Sequence, residues 1–347
     1  MISLLWLLYM IKFKNARGTV FHGGALVYAA GAYSLGCFAL AQDNLFINCL
    51  ATVLLAHGMI IAAYLTHECA HNTVFQNNRD NAGLGSLLGW LTGAAYGKYE
   101  DIRFKHFRHH VDNDDVVWFE YEIFFRKHPH TLLVTRFLEW FYIPAHDLLM
   151  HGIMVFTSYL IPERQSQRLY NTAVIAVRSG IFIFVLFSWP KAAVLFVIAS
   201  MMMILVLRFM DGLQHDYGPS NYLFSDRSGP HKGDAAWEQA HTYSPVLSLK
   251  YEWINWLVLN FGFHNAHHAR PTTPWFDLPA VHQKMFGSDE NEVIPFRSQI
   301  KIFHRSRVNR VVHEGRIFPE FEGRAYLEAC QRMEVTGGNA ASFLTSF

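Results

Sequence analysis

Eight of the chain's 20 histidines fall into three patterned groups. His67-Glu-Cys-Ala-His71, His106-Phe-Arg-His109-His110 and His264-Asn-Ala-His267-His268 are each spaced by three or four residues. On a helix such spacing brings imidazoles to one face, near enough to share or bridge ions. At this His content, random placement gives on the order of 0.07 H-x-x-H-H triples per chain. Two such triples beside an H-x-x-x-H are not a scatter of packing or solvent-facing histidines. Neutral imidazole is a ligand for Zn, Cu, Fe and Ni. A single zinc takes four protein ligands or fewer, so this many donors require at least two ions. A dinuclear site with open positions suits oxygen activation better than hydrolysis, which favours iron while imidazole alone leaves the metal open. The paired Glu and Glu-x-x-His pattern of soluble di-iron bundles is absent.

Four apolar blocks must position these groups: Val20–Leu40, Leu45–Leu65, Ala173–Trp189 and Ala192–Met210. Each is close to the roughly 20 residues that cross a bilayer, and the composition agrees. Charged residues are only 16% of the chain, against about 25% in an ordinary soluble domain, and aromatics reach 15%. Residues 41–44 and 190–191 are tight connections, so the spans are expected as two hairpins of an all-α integral membrane fold. Of 29 Lys and Arg, ten lie in Thr66–Thr172 and fourteen from Arg208 onward, while the hairpin tips hold only Lys191. By the positive-inside rule, both termini and the middle segment are cytoplasmic. All three histidine groups then emerge on that side, because the chain crosses out and back between the second and the third.

His215 lies just past the fourth span on the same edge and joins the set as a ninth histidine. Asp211 precedes it by one helical turn, and Asn260 precedes His264 likewise; both are candidates to support the ligands from behind. The third group is expected to sit on one helix over Leu257–His268. His57, inside the second span, is about 15 Å along the helix from His67, too far to ligate, and is read as a hydrogen-bonded packing residue. Leu84–Tyr96 is expected as a re-entrant or interfacial helix, and Thr131–Arg164 as amphipathic helix along the interface. Met1–Ile11 is too short to span and is read, in the N-terminal segment 1–19, as a surface-lying helix or a loose end. Residues 20–282 form the membrane domain and 283–347 a cytosolic cap and tail. Four cysteines without C-x-x-C spacing indicate no disulfide framework. A net charge of +1 gives no sign of a nucleic-acid partner.

The three groups, in this order and relation to the spans, resemble the histidine boxes of membrane fatty acid desaturases and their hydroxylase relatives. Box one reads His67-Glu68-Cys69-Ala70-His71-Asn72-Thr73-Val74-Phe75, and box three closes Asn260-Phe-Gly-Phe-His264-Asn-Ala-His267-His268. The resemblance runs from about Leu45 to His282. It implies a four-helix stem under a cytosolic helical cap holding two irons, with O2 as co-substrate and a lipid or acyl chain as substrate. Carried over by position, His67, His71, His106, His109, His110, His215, His264, His267 and His268 are the ligands it implies. The chain departs from the pattern at Asp211, where such desaturases can carry Asn, and this leaves the metal geometry there open. No His-Pro-Gly-Gly haem signature is present, so electrons are expected from a separate protein of ferredoxin, rubredoxin or cytochrome b5 type. Trp90, Tyr96 and Trp256 are candidate walls of an apolar substrate tunnel. A hydroxylase or ketolase on the same scaffold is the nearest alternative. A metal transporter or sensor would instead place its ligands along a path within the spans, and a catalytically dead lipid-binding scaffold would not need intact boxes.

Overall fold

The structure, a computed structural model, describes residues 12–217, 221–225, 229–287, 292–312 and 321–338. The segment Met1–Ile11, read as a surface-lying helix or a loose end, and residues 339–347 of the tail lie outside them.

Among the described residues, four helices are long and apolar enough to cross a membrane. They are α1 (Ala16–Leu40), α2 (Leu45–Ala70), a third running Pro162–Ser188, and a fourth, Pro190–Asp211. Their outward faces are bare hydrocarbon: Val27, Leu45 and Phe187 are 75%, 73% and 84% exposed. Surfaces of this kind are stable only against lipid, so the protein is an integral, multi-pass membrane protein.

Local chemistry explains the boundaries. The Asn15 side chain caps α1 at Gly18 N, and Asn44 caps α2 at Ile47 N. Asn48, a polar interruption of the second block, donates its side-chain amide to the carbonyls of Ala39, Leu40 and Gln42. It thereby satisfies the unpaired end of α1 inside an apolar setting. The two helices approach closely where they carry glycine. A Cβ on Gly36 would stand 2.8 Å from Leu55 Cβ, and one on Gly58 3.0 Å from Ala32 Cβ, so small residues here set the packing distance. α2 continues past its apolar block to Ala70 because the box-one residues are themselves buried and helical. The third long helix likewise starts before its apolar block. Buried Asn171 anchors this end to Ser158 Oγ and to the carbonyls of Tyr96 and Val155.

Between α2 and the third long helix come α3 (Asn78–Thr92), α4 (Tyr99–Asp112), α5 (Tyr121–Lys127), α6 (Pro129–Trp140) and α7 (Ala145–Val155). The Leu84–Tyr96 helix is thus really α3 plus a 3-10 turn, divided by Gly93 at φ 94°. The third and fourth long helices are α8 (Arg168–Ser188, preceded by 3-10 turns) and α9 (Pro190–Asp211). Beyond them lie α10 (Ala235–Ala240), α11 (His264–Ala269), α12 (Leu278–Phe286), α13 (Phe296–Ser306) and α14 (Arg324–Arg332). Strand is limited to the parallel pair β1 (Val116–Val117) and β2 (Asn221–Tyr222) among the described residues.

Two features lock the non-spanning part to the long helices. Fully buried Arg208, near the end of α9, pairs with Glu139 of α6 at 2.7 Å and with Asp147 of α7 at 2.7 Å. A small second core of Leu213, Tyr243, Ile294, Ile302, Tyr326, Leu327 and Cys330 fastens the C-terminal helices onto the chain between α9 and box three.

One expectation fails. Leu257–His268 is not a single helix: a 3-10 segment (Glu252–Val258) ends in Leu259 and Asn260 at φ 44° and 55°, and α11 begins only at His264. Asn260 therefore does not sit one helical turn behind His264.

Candidate metal centre

Box one closes α2, box two fills the second half of α4, His215 follows α9 by four residues, and box three opens α11. The ligating atoms of His67, His71, His106 and His267 lie within 4.8 Å of one another, and so do those of His109, His215, His264 and His268. His71 Nε2 stands 2.6 Å from His106 Nε2, and His215 Nε2 is 3.1 Å from His109 Nε2 and 2.8 Å from His264 Nε2. His110 belongs to neither group of four but borders both. Its Nε2 is 3.2 Å from that of His106 and 3.1 Å from that of His267, and its ring centroid is 4.2 Å from that of His268.

The H-x-x-H-H pattern explains this division. Consecutive helical residues point about 100° apart, so an adjacent pair cannot face one point. His267 enters the first group while His268 enters the second; His109 enters the second while His110 turns its Nε2 toward His106 and His267 of the first. Residues four apart stay together: His106 and His110 have ring centroids 4.6 Å apart, His264 and His268 4.5 Å.

These donors fit metal ions. With metal–nitrogen bonds of about 2.0–2.1 Å, adjacent ligand nitrogens stand roughly 3.0–3.4 Å apart, close to the spacing of most of these Nε2 pairs. His268 Nε2 is buried without a hydrogen-bond partner, a position that costs free energy unless something binds there. Burial, and then the charge neighbouring imidazoles would carry, hold His71, His106, His110, His215, His264, His267 and His268 well below the ordinary histidine range. All are therefore neutral at physiological pH, with a lone pair to offer.

Outer contacts fix several rings. His109 Nδ1 donates to the Asp114 carbonyl at 3.0 Å. His215 Nδ1 lies 3.2 Å from Thr242 Oγ1, whose own proton goes to the Glu238 carbonyl at 2.7 Å. His268 Nδ1 donates to Glu238 Oε1 at 2.7 Å, and His110 Nδ1 is 4.0 Å from the same oxygen. A proton held on Nδ1 leaves Nε2 free for an ion. Burial raises the Glu238 carboxyl to about 7 in the metal-free chain. Sequence reasoning missed Glu238, Thr242 and Asp114: they are single polar residues without spacing to any box.

The other candidates go elsewhere. Asp211, buried at the end of α9, is in neither group of four; its charge, with that of Asp115, opposes the burial that lowers Lys105 to about 7. Asn260 gives its side-chain amide to the Trp275 carbonyl at 3.0 Å. His57 bonds the Tyr28 hydroxyl at 2.5 Å and the Leu257 carbonyl at 3.0 Å. Tyr96 lies under Arg178, which also donates to the Trp90 carbonyl, so this charge inside the third span is satisfied there. Trp256 packs edge-on against Phe21 and Trp275.

Long apolar helices ending in two clusters of buried imidazoles define a histidine-box membrane metalloprotein. The family model for fatty acid desaturases matches residues 44–299, well over half the chain. The chain belongs to the fatty acid desaturase family, and with that membership it is an oxidoreductase. It is 24% identical over 263 residues to a fatty acid desaturase of Bacillus subtilis (strain 168), covering 70% of each chain. It is 22% identical over 278 residues to a chloroplastic omega-6 fatty acid desaturase of Glycine max, covering 75% of this chain and 61% of that one.

Proposed function

We propose that this protein desaturates fatty acyl chains with O2, using two irons held by the nine histidines. His67, His71, His106 and His267 would hold one ion, and His109, His215, His264 and His268 the other, with His110 completing the first. The observation that carries this reading is the pair of buried four-imidazole groups at the C-terminal ends of two long apolar helices, α2 and α9.

The chemistry follows from the substrate. A methylene has no acidic proton, so acid–base or nucleophilic groups of the protein cannot open its C–H bond, and the hard step falls to the cofactor. Bound iron would supply the oxidising power drawn from O2. The overall balance is –CH2–CH2– + O2 + 2 e⁻ + 2 H⁺ → –CH=CH– + 2 H2O. The protein's own part is to keep the imidazoles neutral by burial and to hold their Nδ1 protons outward on Asp114, Thr242 and Glu238. It also excludes bulk water: seven of the nine histidines are buried, at 2–4% exposure, and His110 and His215 are partly buried. The spans would form two hairpins, with the boxes and both termini on the cytoplasmic side; the Lys and Arg distribution supports this. Electrons would come from a ferredoxin, rubredoxin or cytochrome b5-type protein.

Expression in a host of defined lipid composition, followed by mass spectrometry of its acyl chains, tests the proposal. New products two hydrogens lighter are expected. Single His110→Ala and His268→Ala variants should lose product while remaining in the membrane fraction. Product persisting in both variants would refute the ligand assignment, and products heavier by one oxygen would make the protein a hydroxylase.

A further inference from the structure

Beside the second group of histidines, five rings stack in a file that leads away from it. The Tyr217 ring lies on His215, with centroids 4.1 Å apart and planes at 29°. Trp237 follows at 5.3 Å and 30°. The Trp237 indole is in turn sandwiched between His231, at 4.0 Å and 3°, and His241, at 4.1 Å and 17°. The file starts at the partly buried His215 imidazole of the metal centre and ends at three part-exposed side chains, His231, Trp237 and His241.

The file is held at each step. The Tyr217 hydroxyl meets Thr242 Oγ1 at 3.1 Å, the same oxygen that fixes His215 Nδ1. His241 Nδ1 bonds the Trp237 carbonyl at 2.8 Å. Asn113, the residue that caps box-two helix α4, donates to the carbonyls of His231 and Asp234. Asp234 in turn caps α10 at Ala236 N and Trp237 N. Aromatic pairs that merely fill space also meet edge-on, as many rings inside the boxes do. Four stacked contacts, three of them made by Trp237 and the group tied to the box-two helix, are a different arrangement.

We propose that the Trp237–Tyr217–His215 stack carries single electrons from a soluble one-electron carrier protein to the metal pair, and that the His231–Trp237–His241 sandwich is its surface end. This rests on the metal-binding reading above. Each transfer oxidises the carrier by one electron and reduces the metal pair by one, and two transfers supply the electrons of one turnover. The rings provide overlapping π systems across the gap and are not consumed.

The test needs no donor protein. Exposed Ala236 is replaced by Cys in a Cys49→Ser background and labelled with a ruthenium–bipyridine photoreductant. Flash photolysis of the iron-loaded protein, without substrate, reads electron injection per bound iron. Trp237→Leu should slow injection about tenfold or more, equivalent to about 1.4 kcal/mol of barrier, at unchanged iron content. Trp237→Phe, which keeps a ring in the file, should stay near the parent rate. Injection at the parent rate in the Leu variant, or equal slowing in both variants, would overturn the route. Absence of iron from the purified parent protein would instead overturn the metal reading on which the route rests. Desaturase activity is not part of the readout, so failure to find an acyl product leaves this measurement intact.

Discussion

Glu238 offers the sharpest test of how the centre is held. Its Oε1 accepts the His268 Nδ1 proton at 2.7 Å and stands 4.0 Å from His110 Nδ1, so one carboxylate backs an imidazole of each group. Hydrogen bonds to charged groups contribute about 1.5–3 kcal/mol, and loss of such outer partners weakens metal binding about 10–100-fold. The two figures agree, since about 1.4 kcal/mol corresponds to tenfold. Glu238→Ala should therefore weaken the His109, His215, His264 and His268 group by about one to two orders of magnitude. The first group, which Glu238 reaches only through the longer His110 contact, should be much less affected. Glu238→Gln keeps an acceptor oxygen but loses the charge and should fall between. The assay is elemental analysis of detergent-purified protein dialysed against graded chelator. The Ala variant should pass through a stage with half the parent's metal, at chelator concentrations where the parent keeps all of it. Equal retention by variant and parent, or simultaneous loss of both ions, would refute the reasoning.

Two further outcomes follow from the buried charges. In the metal-free protein, burial holds six box histidines and His215 well below the ordinary histidine value of about 6.5. Below that pH the unfolded chain takes up protons that the folded one refuses, so stability is full above about 6.5 and falls as the pH drops. Melting in detergent at pH 7.5 and pH 5.5 should show this loss, and a flat profile would show the rings to be solvated. Arg208→Met removes the direct partner of buried Glu139 and Asp147, leaving them only the longer-range charge of Arg310, which should cost about 3–5 kcal/mol. Chemical denaturation in detergent measures this, and a cost under about 1 kcal/mol would mean that water reaches the site.

The helices and the boxes were legible because each rests on a periodic signal: long apolar blocks, and imidazoles at helical spacing. Features that depend on the meeting of distant segments were not. Glu238 is 30 residues from its partner His268 and sits in a six-residue helix, so nothing local marks it as a ligand's support. Asn48 reads as a blemish in an apolar span until the end of α1 folds against it. The break at Leu259 and Asn260 was hidden because neither is glycine, the residue that normally announces a left-handed turn. The outer shell of His109 and His215 comes from a main-chain carbonyl and a threonine hydroxyl, groups common enough to carry no signal until the fold selects them.

The parting of neighbouring histidines has a consequence for assembly. α11 sends His267 one way and His268 the other, so its rotation about its own axis is shared by both clusters. An ion captured on one side sets the roll of that helix and thereby arranges the opposite ring for its own guest. Deleting box two or box three therefore strips ligands from both positions, whereas box one, His67 and His71, serves the first group alone.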